Sequence, residues 1–113
     1  MAHIDEATKF VEQIHGEKFA GSFGDHLKSG VVLCEMMNKL KPGAVKKISK
    51  STMPFPQREN IAAYIEASRS AGVEDNNNFM TIDLFDGKNL AQVALNIVTL
   101  VCESRVCTVF DHH

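Results

Sequence analysis

LKSGVVLCEMMNKLKPG, residues 27–43, decides how the rest of the chain is read: a nearly all-apolar helical run carries one thin charged stripe and stops at Pro-Gly. At about 3.6 residues per turn, Lys28, Glu35 and Lys39 share that stripe. Leu27, Val31, Leu33, Cys34, Met36, Met37 and Leu40 cover most of the remaining circumference. A helix that is apolar most of the way round has to be wrapped by neighbours. Residues 27–40 are therefore expected to form the buried central helix of a small all-α domain. Asp25 is placed to cap its start, Lys39 and Lys41 favour the negative end of the helix dipole, and Pro42-Gly43 cannot continue it.

The flanking segments supply the wrapping. Ala7, Phe10, Val11 and Ile14 recur at i, i+3, i+4 and i+7 after Asp5 and before Gly16, which predicts a helix over residues 5–15. Gly21 and Gly24 bracket a short connector. Residues 42–56 hold Gly, Ser, Thr and Pro without a sustained period and read as a surface stretch with Val45, Ile48 and Phe55 turned inward. Pro56 suits a first helical turn, and Ile61, Tyr64, Ile65 and Ser68 line one face of a helix over residues 57–71, ended by Gly72. After the polar turn 74–78, the apolar segment 79–85 reads as one or two helical turns. A final helix from Lys88 carries Leu90, Val93, Ala94, Ile97, Leu100 and Val101 inward. The alternation at 106–110 is too short to be a sheet and reads as a frayed tail. The expected architecture is a compact bundle of four main helices plus short helical turns.

Composition narrows the function classes. At 113 residues the chain fits one domain that can bury a core without a disulfide or structural metal, and a net charge of −2 gives no general attraction to nucleic acid or membrane. No apolar run reaches spanning length, and MAHIDEATKF lacks the basic and apolar regions of a secretory signal, so a cytoplasmic location is expected. Cys34, Cys102 and Cys107 are odd in number and lack C-x-x-C spacing; Cys34 and Cys102 read as buried, reduced thiols. Residues 1–3 and 112–113 resemble expression scars or a shortened tag.

No catalytic, cofactor-binding or metal residue is predicted. None of the seven glycines falls in a nucleophile-elbow, Walker or dinucleotide pattern, and no His pair has metalloprotease spacing. His15 reads as a ring at a helix end favoured by the dipole. An EF-hand placed on Gly87 would put Ile82 and Leu84 where oxygen ligands belong, so Asp86 reads as a helix cap and Asp83 as a structural hydrogen-bond acceptor. The lopsided feature is basic: Lys39, Lys41, Lys46, Lys47 and Lys50 occur without an intervening acid. Lys41, Lys46, Lys47 and Lys50 are the candidate partner-binding residues, able to meet an acidic filament surface or anionic headgroups; the alternative is a solvated loop. Only Phe55 is aromatic nearby, which leaves no stacking platform for single-stranded nucleic acid. Asp5, Glu6, Glu12 and Glu17 form an acidic counterweight around the first helix.

In order along the chain, three blocks resemble the calponin homology domain. LKSGVVLCEMMNKLKPG is similar to that family's central-helix motif of Leu, Lys-x-Gly, Leu-Cys, Asn and Pro-Gly. Phe55, Gln57, Glu59, Asn60, Ile61 and Tyr64 are similar to its aromatic, Glu-Asn-Ile, aromatic block, and FMTIDLFDGKNLAQV, residues 79–93, to its Asp-Leu-aromatic, Gly-Lys-Asn-Leu and Gln-Val signature. The resemblance is to the single type found in calponin, transgelin, Vav and IQGAP, with residues 5–103 as the domain and 104–113 as a flexible tail. Phe10 stands where the family often has Trp, keeping an aromatic anchor without an indole hydrogen bond. The last helix reads VALNIVTL at 93–100 where paired actin-binding units carry a Gly-Leu-Ile-Trp-like run, and the chain holds no second copy.

What the resemblance implies is a non-catalytic interaction module of a cytoskeletal or signalling protein, a monomer without cofactors. It would associate with actin filaments or an actin-linked partner, weakly when alone. The alternatives are a module that docks on a neighbouring domain to restrain a Rho-family exchange factor, and a domain that binds acidic tubulin tails.

Overall fold

The computed structural model describes residues 2–19 and 21–111, and the side chains of 4–19 and 21–102. Among these residues there are six α-helices and no strand: α1 (Ala2–His15), α2 (Phe23–Leu27), α3 (Val31–Leu40), α4 (Pro54–Ser70), α5 (Thr81–Phe85) and α6 (Leu90–Asp111), with a 3-10 turn at Asp75–Asn77 before α5. The four longer helices make the bundle. α1 lies mainly along α6 and then against α3, while α3 packs on α4.

The apolar periodicities explain this arrangement. Ala7 and Val11 of α1 are fully buried, and Phe10 and Ile14 flank them half-buried, so that Phe10 anchors the edge of the core. α3 contributes Leu33, Cys34, Met36 and Met37; α6 contributes Val93, Ala94, Ile97, Leu100 and Val101. Inside this core runs one polar chain. The Tyr64 hydroxyl donates to Asn96 Oδ1 at 2.7 Å, and Asn96 Nδ2 donates to Asn78 Oδ1 at 3.0 Å, tying α4 and α6 to the loop ahead of α5. Tyr64, Asn78 and Asn96 are thereby given the partners that burial demands.

The central helix is not continuous. The helix expected over 27–40 is broken into α2 and α3 at Lys28–Gly30, where Gly30 has φ 77°. The break has a steric cause: a Cβ on Gly30 would stand 2.6 Å from Asn60 Cβ and 2.9 Å from Ile61 N, so only glycine brings this turn against α4. Leu27 remains buried from α2, which is why the apolar wheel looked unbroken. Asp25 is not the cap either. Ser22 caps α2, its Oγ accepting from Asp25 N at 3.2 Å, and Asp25 sits in the first turn.

Other boundaries differ for local reasons. α1 begins at Ala2, ahead of Asp5. α4 begins at Pro54, which needs no N–H donor at N1, and this carries Phe55 onto the solvent face, 71% exposed rather than turned inward. Val45 and Ile48 do turn inward. Asp86 ends α5 instead of starting α6; Asn89 does that, its Oδ1 accepting from Gln92 N at 3.2 Å. Asp83 is the acceptor expected of it, bonded by Met80 N at 2.9 Å. The backbone of α6 continues through 104–111, where a frayed tail was expected, while Met1, His112 and His113 lie outside the described residues.

Cys34 is buried as expected, and Cys102 is exposed. The Cys34 Sγ donates to Asn60 O at 3.2 Å, and burial, seconded by the charge of Glu35, pushes its thiol up from 9.0 to about 12. The unfolded chain therefore loses this proton first. Its contribution to stability is fully present below pH 9.0 and is lost as pH rises toward about 12. Melts across that range should fall with pH, more gently in Cys34→Ala, and iodoacetamide should label native Cys102 while sparing Cys34. Equal labelling of both thiols in the folded protein would contradict the burial.

Candidate partner-binding site

The lysine-bearing stretch is a loop held in one shape by two asparagines. Asn38 of α3 grips Val45 at both backbone groups: its Nδ2 donates to Val45 O at 3.0 Å and its Oδ1 accepts from Val45 N at 2.8 Å. Asn60 of α4 is 3% exposed and does the same further on, with Nδ2 donating to Ser49 O at 2.6 Å and to Ser29 O at 3.0 Å, and Oδ1 accepting from Ser49 N at 3.0 Å. A side-chain amide pairs a peptide's donor and acceptor together, so each Asn replaces a stretch of sheet. The chain turns at Gly43, φ 80°, with Ala44 N donating to Lys41 O at 3.1 Å.

This scaffold separates the lysines that the sequence grouped. Lys41, Lys46 and Lys47 are exposed around one hollow of about 620 Å³, whose lining also takes in Ala63, Glu66, Ala67 and Ser70 from the second half of α4. Lys50 is not part of it. It lines a second hollow of about 810 Å³ beside His15, Glu35 and Gln57, with its Nζ 3.8 Å from Glu35 Oε2. Lys39 opens onto the same second hollow and donates to His15 O at 2.9 Å, satisfying a carbonyl at the end of α1. Three of the four candidate residues thus line one hollow and the fourth lines the other.

The second hollow is a joint between helices more than a reactive centre. His15, its side chain 8% exposed, sets Nε2 2.6 Å from Glu35 Oε1 and so clamps α1 to α3, a role that the dipole reading missed. Glu12 is likewise engaged, its Oε2 accepting from Phe19 N at 3.0 Å, so part of the acidic counterweight holds the α1 exit. Lys28, expected on the charged stripe, lies 4.9 Å over the Phe85 ring, and Arg58 lies 4.7 Å from the same ring. Each is a cation on an aromatic face, and together they fasten α5. Among the described residues, no three His, Cys, Asp or Glu side chains are grouped to hold a metal ion. No helix there is long and apolar enough to cross a membrane.

The fold as a whole has counterparts among known proteins. The family model for the calponin homology (CH) domain matches residues 3–103. The chain belongs to the calponin homology domain family. Myophilin from Echinococcus granulosus is 43% identical over 99 residues, which cover 85% of this chain and 52% of myophilin. Rac guanine nucleotide exchange factor B from Dictyostelium discoideum is 42% identical over 79 residues, 70% of this chain and 7% of that protein. The calponin homology domain of an IQGAP protein from Schizosaccharomyces pombe superposes with a TM-score of 0.75 at 30% identity, covering 87% of this chain and 64% of the other. The chain spans about half the length of myophilin and a small part of the exchange factor. Cytoskeletal and signalling proteins carry this domain, a fold associated with non-catalytic interaction.

The two asparagines were read as motif residues without a role, and the structure shows them holding the loop. Asn38 and Asn60 belong to the family blocks, yet their work is legible from chemistry alone. A polar amide on a helix among buried apolar neighbours must find backbone partners, and the nearest unpaired backbone is the irregular stretch that follows.

Proposed function

We propose that this calponin homology domain is a non-catalytic docking module that associates weakly with actin filaments or an actin-linked partner through the lysine-rimmed hollow. The observation that carries the reading is the joint exposure of Lys41, Lys46 and Lys47 on a loop already fixed by Asn38 and Asn60. A basic rim on a backbone already pinned favours an acidic surface at a reduced ordering cost. A cytoplasmic, cytoskeleton-associated location goes with it. Lys50, 77% exposed and beside Glu35, contributes less because that acid offsets its charge.

The test is the triple variant Lys41→Glu, Lys46→Glu, Lys47→Glu in sedimentation with filaments. Its bound fraction should fall by about an order of magnitude, while its stability stays within about 0.5 kcal/mol of the parent, since exposed positions away from caps and core carry little folding energy. Unchanged binding would assign the lysines to solvent.

The likeness to an exchange factor supports a second reading, in which the domain packs on a neighbouring domain of its parent and restrains it. The same charge reversal would then raise exchange activity of the full-length protein and leave filament binding untouched.

A further inference from the structure

We propose that the hollow between residues 41–47 and α4 docks an extended acidic protein segment bearing one small aliphatic side chain. The proposal rests on the docking-module reading and goes further by naming the chemistry of the occupant.

Charge sets the first requirement. Lys41, Lys46 and Lys47 rim the hollow, and the ion pairs found among the described residues lie elsewhere. The acid in the same lining, Glu66, is turned to Arg69, whose Nη1 approaches Oε2 at 2.8 Å. The basic rim is thus left to an outside counter-charge, and an acidic segment matches it.

The floor sets the second requirement. Val45 and Ala67, 6% and 7% exposed, lie in the lining with half-buried Ala44 and Ala63. Four short side chains keep the bottom apolar and the space above it open. A volume of about 620 Å³ admits a branched aliphatic group with the backbone that carries it. The Asn38 clamp on Val45 fixes floor and rim together, so little ordering is needed when the segment enters.

The shape sets the third. A flat anionic membrane would meet the lysine tips but has no side chain to set against Val45 and Ala67, which are 6% and 7% exposed. The lining has no aromatic ring on which a nucleic acid base could stack.

The experiment titrates the labelled 113-residue chain with a short synthetic peptide of Glu and Asp around one central Val, and with the same peptide carrying Ser in place of Val, while amide shifts are followed. Saturable shifts confined to Val45, Ala63, Ala67 and their neighbours, with the Ser peptide about fivefold weaker or worse, would support the proposal. Lys46→Glu with Lys47→Glu should weaken the Val peptide about tenfold. Ala63→Met, which fills the floor, should reduce the Val peptide to the level of the Ser peptide, and its amide spectrum reports that it has folded. Equal affinity for the two peptides, or shifts spread over every lysine of the chain, would overturn the anchored mode. Floor shifts with phosphatidylserine vesicles but not with peptide would replace it by a lipid surface, and a concentration-dependent dimer occluding Ala63 would replace it by a second copy. No filament enters these titrations, so loss of the peptide mode and loss of filament binding are separate results.

Discussion

Replacing Gly30 by Ala is expected to destabilise the domain by about 2–5 kcal/mol. The left-handed backbone conformation alone costs an alanine about 1–2 kcal/mol. The added methyl then meets Asn60 Cβ at 2.6 Å and Ile61 N at 2.9 Å, a clash with backbone that no side-chain rotation relieves. Overpacking of that kind adds about 1–3 kcal/mol. Gly43 is the control: its φ is 80°, but a Cβ there meets nothing within 4 Å. Gly43→Ala should therefore show only the backbone cost, about 1–2 kcal/mol. Denaturant melts separate the two, and equal losses would mean that α4 does not press on the 28–30 turn as described.

Leu33→Ala and Ile97→Ala should each cost about 2–5 kcal/mol. Both side chains are fully buried, Leu33 on α3 and Ile97 on α6, within the same apolar cluster. Truncation removes transfer free energy and leaves a cavity that packed helices cannot close. Midpoints in urea should drop with little change in slope. Wild-type midpoints for both variants would place the core elsewhere.

The bundle was legible because burial leaves a periodic trace. Ala7 and Val11, Leu33 and Met37, and Val93 and Ile97 recur at helical spacing, and each proved buried. Junctions leave a weaker trace. The break at Lys28–Gly30 falls in a run whose apolar pattern continues on both sides, and the reason for it is the backbone of α4, distant in sequence. Phe55 misled for a related reason: an aromatic residue in a Pro-rich stretch suggests an inward anchor, but the start of α4 at Pro54 fixes its direction outward. The lysine cluster was visible as composition and not as a surface. Only the Asn38 and Asn60 clamps decide that Lys41, Lys46 and Lys47 face one hollow while Lys50 turns to Glu35.

The proposed docking mode implies weak binding by one module and stronger binding by linked modules. One small face offers limited area, and contacts below the usual ~1,200 Å² are commonly transient unless linkage raises the effective concentration. Sedimentation of the 113-residue domain with actin filaments, beside a tandem of two copies on a flexible linker, tests this directly. The single domain is expected not to saturate at micromolar concentration, and the tandem to gain about a hundredfold or more, a gain that shrinks as salt rises. Saturable micromolar binding by the single domain, equal to that of the tandem, would contradict it.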